Sequence, residues 1–370
     1  MMPTPRLAIG RWRIRPWHSR SPGRVTICAL TMVLAVTTWL TGARSSPIAC
    51  AGCGALKRSR DMQAADSRAR FDESHIRSWR EEGFAIVPGF FAASEIEAIN
   101  ADYERLYGGR RPALGTALDR KDPGQLGRFD RHQFMHIDTL PFGGSVAMNL
   151  LPMHPALIAF ACAALGVQDV HLYQAHTWAK FTGEADFDQP FHCDFSNHTL
   201  SVPADVPSLR TIDFILYFTD VTDAHGALHY VPKPETDAIL GAGAVYANSA
   251  AEQAALKARE RSAAAPAGTL VAHGIDTFHR GTNLTAPGGH RYTMTVGYKA
   301  RGNDQIGFHV WQFSAERDWG PILSHGTPEQ LAVLGIPLPG DPFWTPRTLA
   351  LTEMRWPTWN LDPWRRAASS

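Results

Sequence analysis

From residue 72 onward the chain carries apolar residues in two alternating periods. Over 72–82, Ile76 and Trp79 fall on one helical face and Gly83 follows, which predicts a short helix closed by glycine. Phe84-Ala-Ile-Val-Pro88 is a continuous apolar run, too short for a helix and typical of a strand. Ser94-x-x-Glu97 has the form of a capping box, and Ile96, Ile99, Tyr103 and Leu106 recur at helical spacing. Pro155 and Gly166 bracket another helix filled by Leu157, Ile158, Phe160 and Leu165. From residue 170 the texture becomes β-prone, with runs at 170–181, 211–218, 227–231, 268–273 and 290–299. A helix is expected between Ser249-x-x-Glu252 and Pro266. Thr327-Pro328 and Thr345-Pro346 mark two further helix starts, and Gly335 marks a stop. Strands that succeed one another with few helices between them point away from a βαβ sheet and toward a sandwich or barrel. They predict a mainly β fold with flanking helices, its core a double-stranded β-helix of the jelly-roll, cupin-like kind.

Composition narrows the organisation. At 370 residues, 44% hydrophobic and 19% charged, the chain can bury one large core. The reading is an extension over 1–61, a jelly-roll domain over 62–300 with N-terminal helices, and a Trp/Pro-rich extension over 301–370 that packs on the core. Residues 110–144 have no clean period and are expected to form long loops, with Asp130-Arg-His-Gln-Phe134 near a substrate entrance. The leader has Arg6, Arg11, Arg13, Arg15, Arg20 and Arg24, then an apolar run over 25–40 and Thr41-Gly42-Ala43. That is the layout of a secretory signal; the alternative is an over-extended gene start with Met62 opening the globular part. A cytoplasmic location is expected, or export if residues 1–43 are a genuine signal. A net charge of +1 argues against nucleic acid as a main partner, and the apolar run is too short for a comfortable membrane span. The expected partner is a small-molecule substrate, with the protein a monomer or homodimer. Five cysteines, scattered, make no disulfide framework, and Cys50-x-x-Cys53 has no second pair to complete a zinc site.

The chemistry concentrates in Phe191-His192-Cys193-Asp194-Phe195. In extended backbone, residues two apart share a side, so His192 and Asp194 can reach one metal while Cys193 points away. A hydrogen-bonded His/Asp pair would look the same, and the motif alone is weak. A second histidine from a distant strand would complete the two-His, one-carboxylate arrangement of non-haem Fe(II). Phe278-His279-Arg280-Gly281 offers one. Twelve residues on, Arg291 opens an alternating strand in which Arg291, Thr293 and Thr295 share a face. An arginine directed into a barrel needs an anion, and a carboxylate held bidentately is its natural partner.

These residues, with their flanks, resemble the phytanoyl-CoA dioxygenase family from about residue 72 to 299. The resembling pieces are Trp79-x-x-x-Gly83-Phe84-x-x-Val87-Pro88-Gly89-Phe90, Met153-His154-Pro155, Lys180-Phe181, Thr222-Asp-Ala-His-Gly226-Ala-Leu228-x-x-Val231-Pro232, and Gly268…His279…Asn283…Arg291. The resemblance implies that His192, Asp194 and His279 are iron(II) ligands. It implies that Arg291 pairs with the distal carboxylate of 2-oxoglutarate, with help from the Thr293 hydroxyl. Lys180 stands where the family often has a basic residue near this cosubstrate; a surface lysine is the competing reading. The implied reaction consumes O2, releases succinate and CO2, and hydroxylates a small organic or lipid-like substrate. Desaturation or cyclisation on the same scaffold, a zinc or manganese jelly-roll hydrolase or isomerase, and a metal-free binding module are the alternatives. After Val231-Pro232 the family usually continues Gly-Ser-His, whereas this chain has Lys233-Pro-Glu, which is expected to alter a turn at the pocket rim. No basic cluster marks a coenzyme A site. His171, His176, His225, His229 and His273 are expected to be structural or surface residues, and His198 to be the one worth watching near the pocket.

Overall fold

The computed structural model describes residues 70–110, 136–183, 188–307, 310 and 317–368. The leader over 1–61 and the loop Asp130-Arg-His-Gln-Phe134 lie outside the described residues. Helix α1 (Glu73–Glu82) is capped by the Asp72 side chain and closed by Gly83 at φ +86°. Strand β1 (Phe84–Val87) follows, then α2 (Ala93–Tyr107). Ser94 is not the cap expected of it. The helix starts at Ala93, and Glu95 rather than Glu97 folds back to accept the Ala92 amide at 2.8 Å. Ala92 has no side chain to reciprocate, so only half of a capping box forms.

Helices α3 (Val146–Leu150) and α4 (Pro155–Leu165) come next, then β2 (Val170–Phe181), the one-turn helix α5 (Phe195–His198) and β3 (Thr211–Tyr217). Residues 146–165 are long and apolar enough to cross a membrane by composition. Pro152 and Pro155 break that run, and Met148, Leu157, Phe160 and Leu165 are buried in the core. The remaining elements are β4 (Leu228–Tyr230), α6 (Lys233–Leu240), α7 (Ala250–Lys257), β5 (Arg261–Ser262), β6 (Leu270–His273), β7 (His279–Gly281) and β8 (His290–Ala300). Four helices close the chain: α8 (Gly320–His325), α9 (Pro328–Ala332), α10 (Pro346–Arg355) and α11 (Asp362–Ala368). The expected altered rim turn after Pro232 is a helix start, since Pro232 is the N-cap of α6. Helix α7 ends at Lys257, well before Pro266, and β5 takes up the intervening chain.

Two sheets form the double-stranded β-helix. The larger runs β1-β6-β3-β8-β2 and the smaller β5-β4-β7, extended by a two-way backbone bridge between His192 and His279. Every neighbouring pair is antiparallel. Alternation along the larger sheet gives it two unlike faces. Phe214, Leu216, Leu270, Ala272, Tyr292, Met294, Val296 and Tyr298 turn outward and pack under the helices with Trp79, Tyr103, Leu157 and Phe160 in one core. The opposite face carries Gln174, His176, Trp178 and Lys180 on β2, and Arg291, Thr293 and Thr295 on β8, in register: Lys180 opposes Arg291, and Trp178 opposes Thr293. Asp213 and Tyr217 on β3 and His273 on β6 extend this face. A sheet face this polar is the inner wall of a chamber, with the smaller sheet opposite.

Candidate active site

His192, Asp194 and His279 converge, each offering one ligand atom, and these atoms lie within 4.8 Å of one another. Nε2 of His192 is 3.5 Å from Asp194 Oδ1, and Nε2 of His279 is 3.4 Å from Asp194 Oδ2. The backbone does this in a way the extended-segment reading only half anticipates. His192 is bridged to β7, but at Asp194 the chain has turned to φ −79°, ψ −7° and enters α5. The carboxylate therefore sits at a helix start and not on a strand. Cys193 points the other way, into an apolar cluster with Phe191, Phe195, Leu256 and Ile275, and burial pushes its thiol pKa up.

Both imidazoles are oriented from behind. Nδ1 of His192 lies 2.9 Å from the Pro190 carbonyl, and Nδ1 of His279 lies 3.0 Å from the Thr277 carbonyl. A carbonyl only accepts, so each Nδ1 carries a proton and each Nε2 is the nitrogen left to ligate a metal. Burial opposes the charge on Asp194, yet the surrounding histidines, His279 foremost, hold its carboxyl well below the ordinary range. Burial likewise opposes a cation at His192, but the Asp194 carboxylate outweighs it and raises the pKa. Two imidazole nitrogens and one carboxylate on one side of a cavity suit Fe(II), whose other positions stay available to substrates.

A third histidine stands behind the triad. His273, read from sequence as structural or surface, is 2% exposed; its Nε2 is 3.9 Å from Asp194 Oδ2 and its Nδ1 is 3.1 Å from the Tyr230 hydroxyl. Its ring also packs against that of His279, with centroids 5.0 Å apart. The signal for it was weak: an isolated histidine six residues before His279 on an otherwise apolar strand. His198 is buried and engaged from the wall side, with Nδ1 2.7 Å from the Tyr173 hydroxyl, which also donates to Asp213 at 2.7 Å. His176 lies on the chamber face, and burial drops its pKa to about 4, so it is neutral at ordinary pH.

Arg291 is 7% exposed, and its Nε is buried with no hydrogen-bond partner. Among the described residues no carboxylate pairs with it, and burial depresses its pKa from the usual arginine value. A buried guanidinium left in this state is missing an anion. Gly226 makes room for it: a Cβ there would lie 3.3 Å from Arg291 Nη1 and 2.7 Å from the Thr282 carbonyl. Thr293 shares the chamber face, one step along β8. Lys180 is partly buried on that face with Nζ 5.8 Å from the centre of the Trp178 ring, and burial, with Arg291 adding to it, lowers its pKa to about 7.

A family model described as phytanoyl-CoA dioxygenase (PhyH) matches residues 79–291. No curated protein matches the chain. Among solved structures, EctD from S. alaskensis in its apoform is 17% identical with a TM-score of 0.46, covering 63% of this chain and 79% of that one. The alpha-ketoglutarate-dependent carbocyclase SnoK from nogalamycin biosynthesis is 17% identical with a TM-score of 0.45, covering 62% and 84%. HygX from Streptomyces hygroscopicus with nickel and 2-oxoglutarate bound is 15% identical with a TM-score of 0.43, covering 63% and 88%. The family match covers more than half of the chain and runs from Trp79, within α1, to Arg291. The donor set and the uncompensated arginine fit an iron ion and a dicarboxylate cosubstrate. This chain belongs to the phytanoyl-CoA dioxygenase family and is a 2-oxoglutarate-dependent non-haem iron oxygenase.

Proposed function

We propose that His192, Asp194 and His279 hold the iron, that Arg291 with Thr293 grips the far carboxylate of 2-oxoglutarate, and that the enzyme hydroxylates a small organic or lipid-like substrate. The reaction balances as substrate C–H plus 2-oxoglutarate plus O2 giving the alcohol, succinate and CO2. The bound iron supplies dioxygen activation. The chain's own part is positioning. The Pro190 and Thr277 carbonyls keep both imidazoles in one tautomer, and His273 restrains the carboxylate. The observation that carries the cosubstrate is Arg291, buried in the chamber wall without a counter-ion.

Hydroxylation is favoured over halogenation by Asp194. A halogenating site needs a small residue where the carboxylate stands, so that chloride can bind the metal in its place. Here the carboxylate is present and within reach of both imidazoles. The test uses the iron-loaded protein with 2-oxoglutarate. Anaerobic addition is expected to give a visible charge-transfer band, and air is expected to release succinate slowly without any substrate. No band and no succinate would refute the cosubstrate. With a turned-over substrate under labelled dioxygen in chloride buffer, one labelled oxygen atom is expected in the product. Chlorine without label would show that Asp194 is not a ligand, and loss of two hydrogens without label would show desaturation or cyclisation.

A further inference from the structure

The chamber wall carries one cation more than the reaction above uses. Lys180 and Arg291 are directly opposed across β2 and β8, so both side chains leave the sheet on the chamber side. Trp178, two residues before Lys180, confirms that side: its Nε1 donates to the Thr295 hydroxyl at 2.9 Å. Among the described residues neither cation has an acidic partner. Lys180 rests on the Trp178 ring and on nothing of opposite charge. Two like charges placed opposite each other repel, and an anion beside each of them relieves that cost.

The charges can be summed. Iron(II) with the Asp194 carboxylate leaves one positive charge, Arg291 adds another, and 2-oxoglutarate brings two negative ones. That set is neutral, and Lys180 is left over. From this we infer that Lys180 receives an anionic group of the substrate, a carboxylate or a phosphate, so that the enzyme acts on an organic acid or a phosphorylated compound and reads that group. The inference rests on the cosubstrate assignment to Arg291. It departs from the simpler idea that Lys180 is a second clamp on 2-oxoglutarate. A lysine suits this role because it is a point charge on a flexible stem, able to meet anions of differing shape. Arg291 instead offers the planar fork that a fixed cosubstrate carboxylate favours.

The test is binding, not turnover. The full chain, loaded with iron and kept anaerobic, is titrated calorimetrically with 2-oxoglutarate; the saturated complex is then titrated separately with acetate and with inorganic phosphate. The wild type is expected to bind at least one of the two anions saturably, and the better binder identifies the group. Lys180→Met is expected to weaken that anion by about 30-fold or more, as loss of one partner of a buried charge pair does, while 2-oxoglutarate binds as before. Lys180→Arg is expected to restore most of the anion binding, which a purely structural lysine would not predict. If Lys180→Met weakens 2-oxoglutarate instead, Lys180 is a cosubstrate clamp and the inference is wrong. If neither anion binds the saturated wild type, or if both bind equally well to Lys180→Met, it is wrong as well. Failure of 2-oxoglutarate to bind the wild type at all would refute the cosubstrate assignment itself, a separate result.

Discussion

Single residues decide the chemistry, and they differ in how openly the sequence displays them. His192 and Asp194 are visible because two metal-binding types stand two apart. His279 and Arg291 become visible only through their order and spacing relative to the motif. His273 is hidden because it ends a strand whose other members are apolar, and only the fold brings it near Asp194. Lys180 is ambiguous in sequence since a lysine at a strand end is usually solvated; its register with Arg291 puts it inside. The sharpest test at this scale is Arg291→Ala. Removing one member of a buried charge pair costs about 3–5 kcal/mol, so 2-oxoglutarate affinity is expected to fall by about two to four orders of magnitude. Iron affinity should hold, because no atom of Arg291 is among the converging metal donors. Calorimetric titration of each ligand separately measures both. Equal loss of iron and cosubstrate would mean that Arg291 supports the fold and not the anion.

At the scale of elements, apolar runs are legible even when short, as at β1 and β4, and short elements without such a run are not. Strand β2 was readable end to end, and β3, β6 and β8 to within two residues, because their alternation spans several residues. Strands β5 and β7 and helix α5 have two to four residues each, too few to carry a period, and their conformation is imposed by the neighbours they pair or pack with. The start of α2 was misplaced because Ser94 is the better intrinsic cap, yet the chain entering from Phe91 is tied to Gly268 by a backbone bond at 2.9 Å and begins its helix earlier. Tertiary pairing also explains Gly297 in the middle of β8, where propensity argues against glycine. Tyr173, Gln174 and Asp213 converge above it, with Gln174 Nε2 donating to Asp213 at 2.6 Å. A Cβ at 297 would come 2.6 Å from Gln174 Cγ and 2.8 Å from Tyr173 Cε1, and would press on the Asp213 carboxylate. Gly297→Ala is therefore expected to cost about 3 kcal/mol, the upper part of the overpacking range. Gly307→Ala, where nothing among the described residues lies within 4 Å, is the control and should be nearly neutral. Urea denaturation of the metal-free protein reads both, and equal midpoints would show that the network yields without cost.

For the molecule as a whole, the question is which parts of the chain the β-helix needs. The C-terminal helices share the barrel's core and have no core of their own. Trp319, Ile322, Leu323, Leu331, Val333, Leu334, Trp344, Leu349, Trp359, Leu361 and Trp364 are buried in the same cluster as Phe160, Leu172 and Phe214. Polar ties accompany them: the Leu172 amide donates to the Val333 carbonyl at 2.7 Å where β2 bulges, and Arg317 donates to the Pro141 carbonyl at 2.7 Å. Burial of a large apolar side chain contributes about 1.5–3 kcal/mol, so eleven of them outweigh the whole net stability of a typical domain, about 5–15 kcal/mol. Deleting residues 317–370 is therefore expected to leave an insoluble or molten chain, although none of the proposed metal or cosubstrate residues is removed. A chain beginning at Met62 should behave oppositely, since the proposed domain opens there: it is expected to stay soluble, unfold cooperatively and bind iron and 2-oxoglutarate like the full chain. Soluble yield, thermal unfolding and anaerobic titration of the two truncations decide the matter. A C-terminal truncation that still unfolds cooperatively and binds 2-oxoglutarate would show that the tryptophan-rich helices cover the barrel without sustaining it. An insoluble Met62 chain would place the start of the folding unit further upstream.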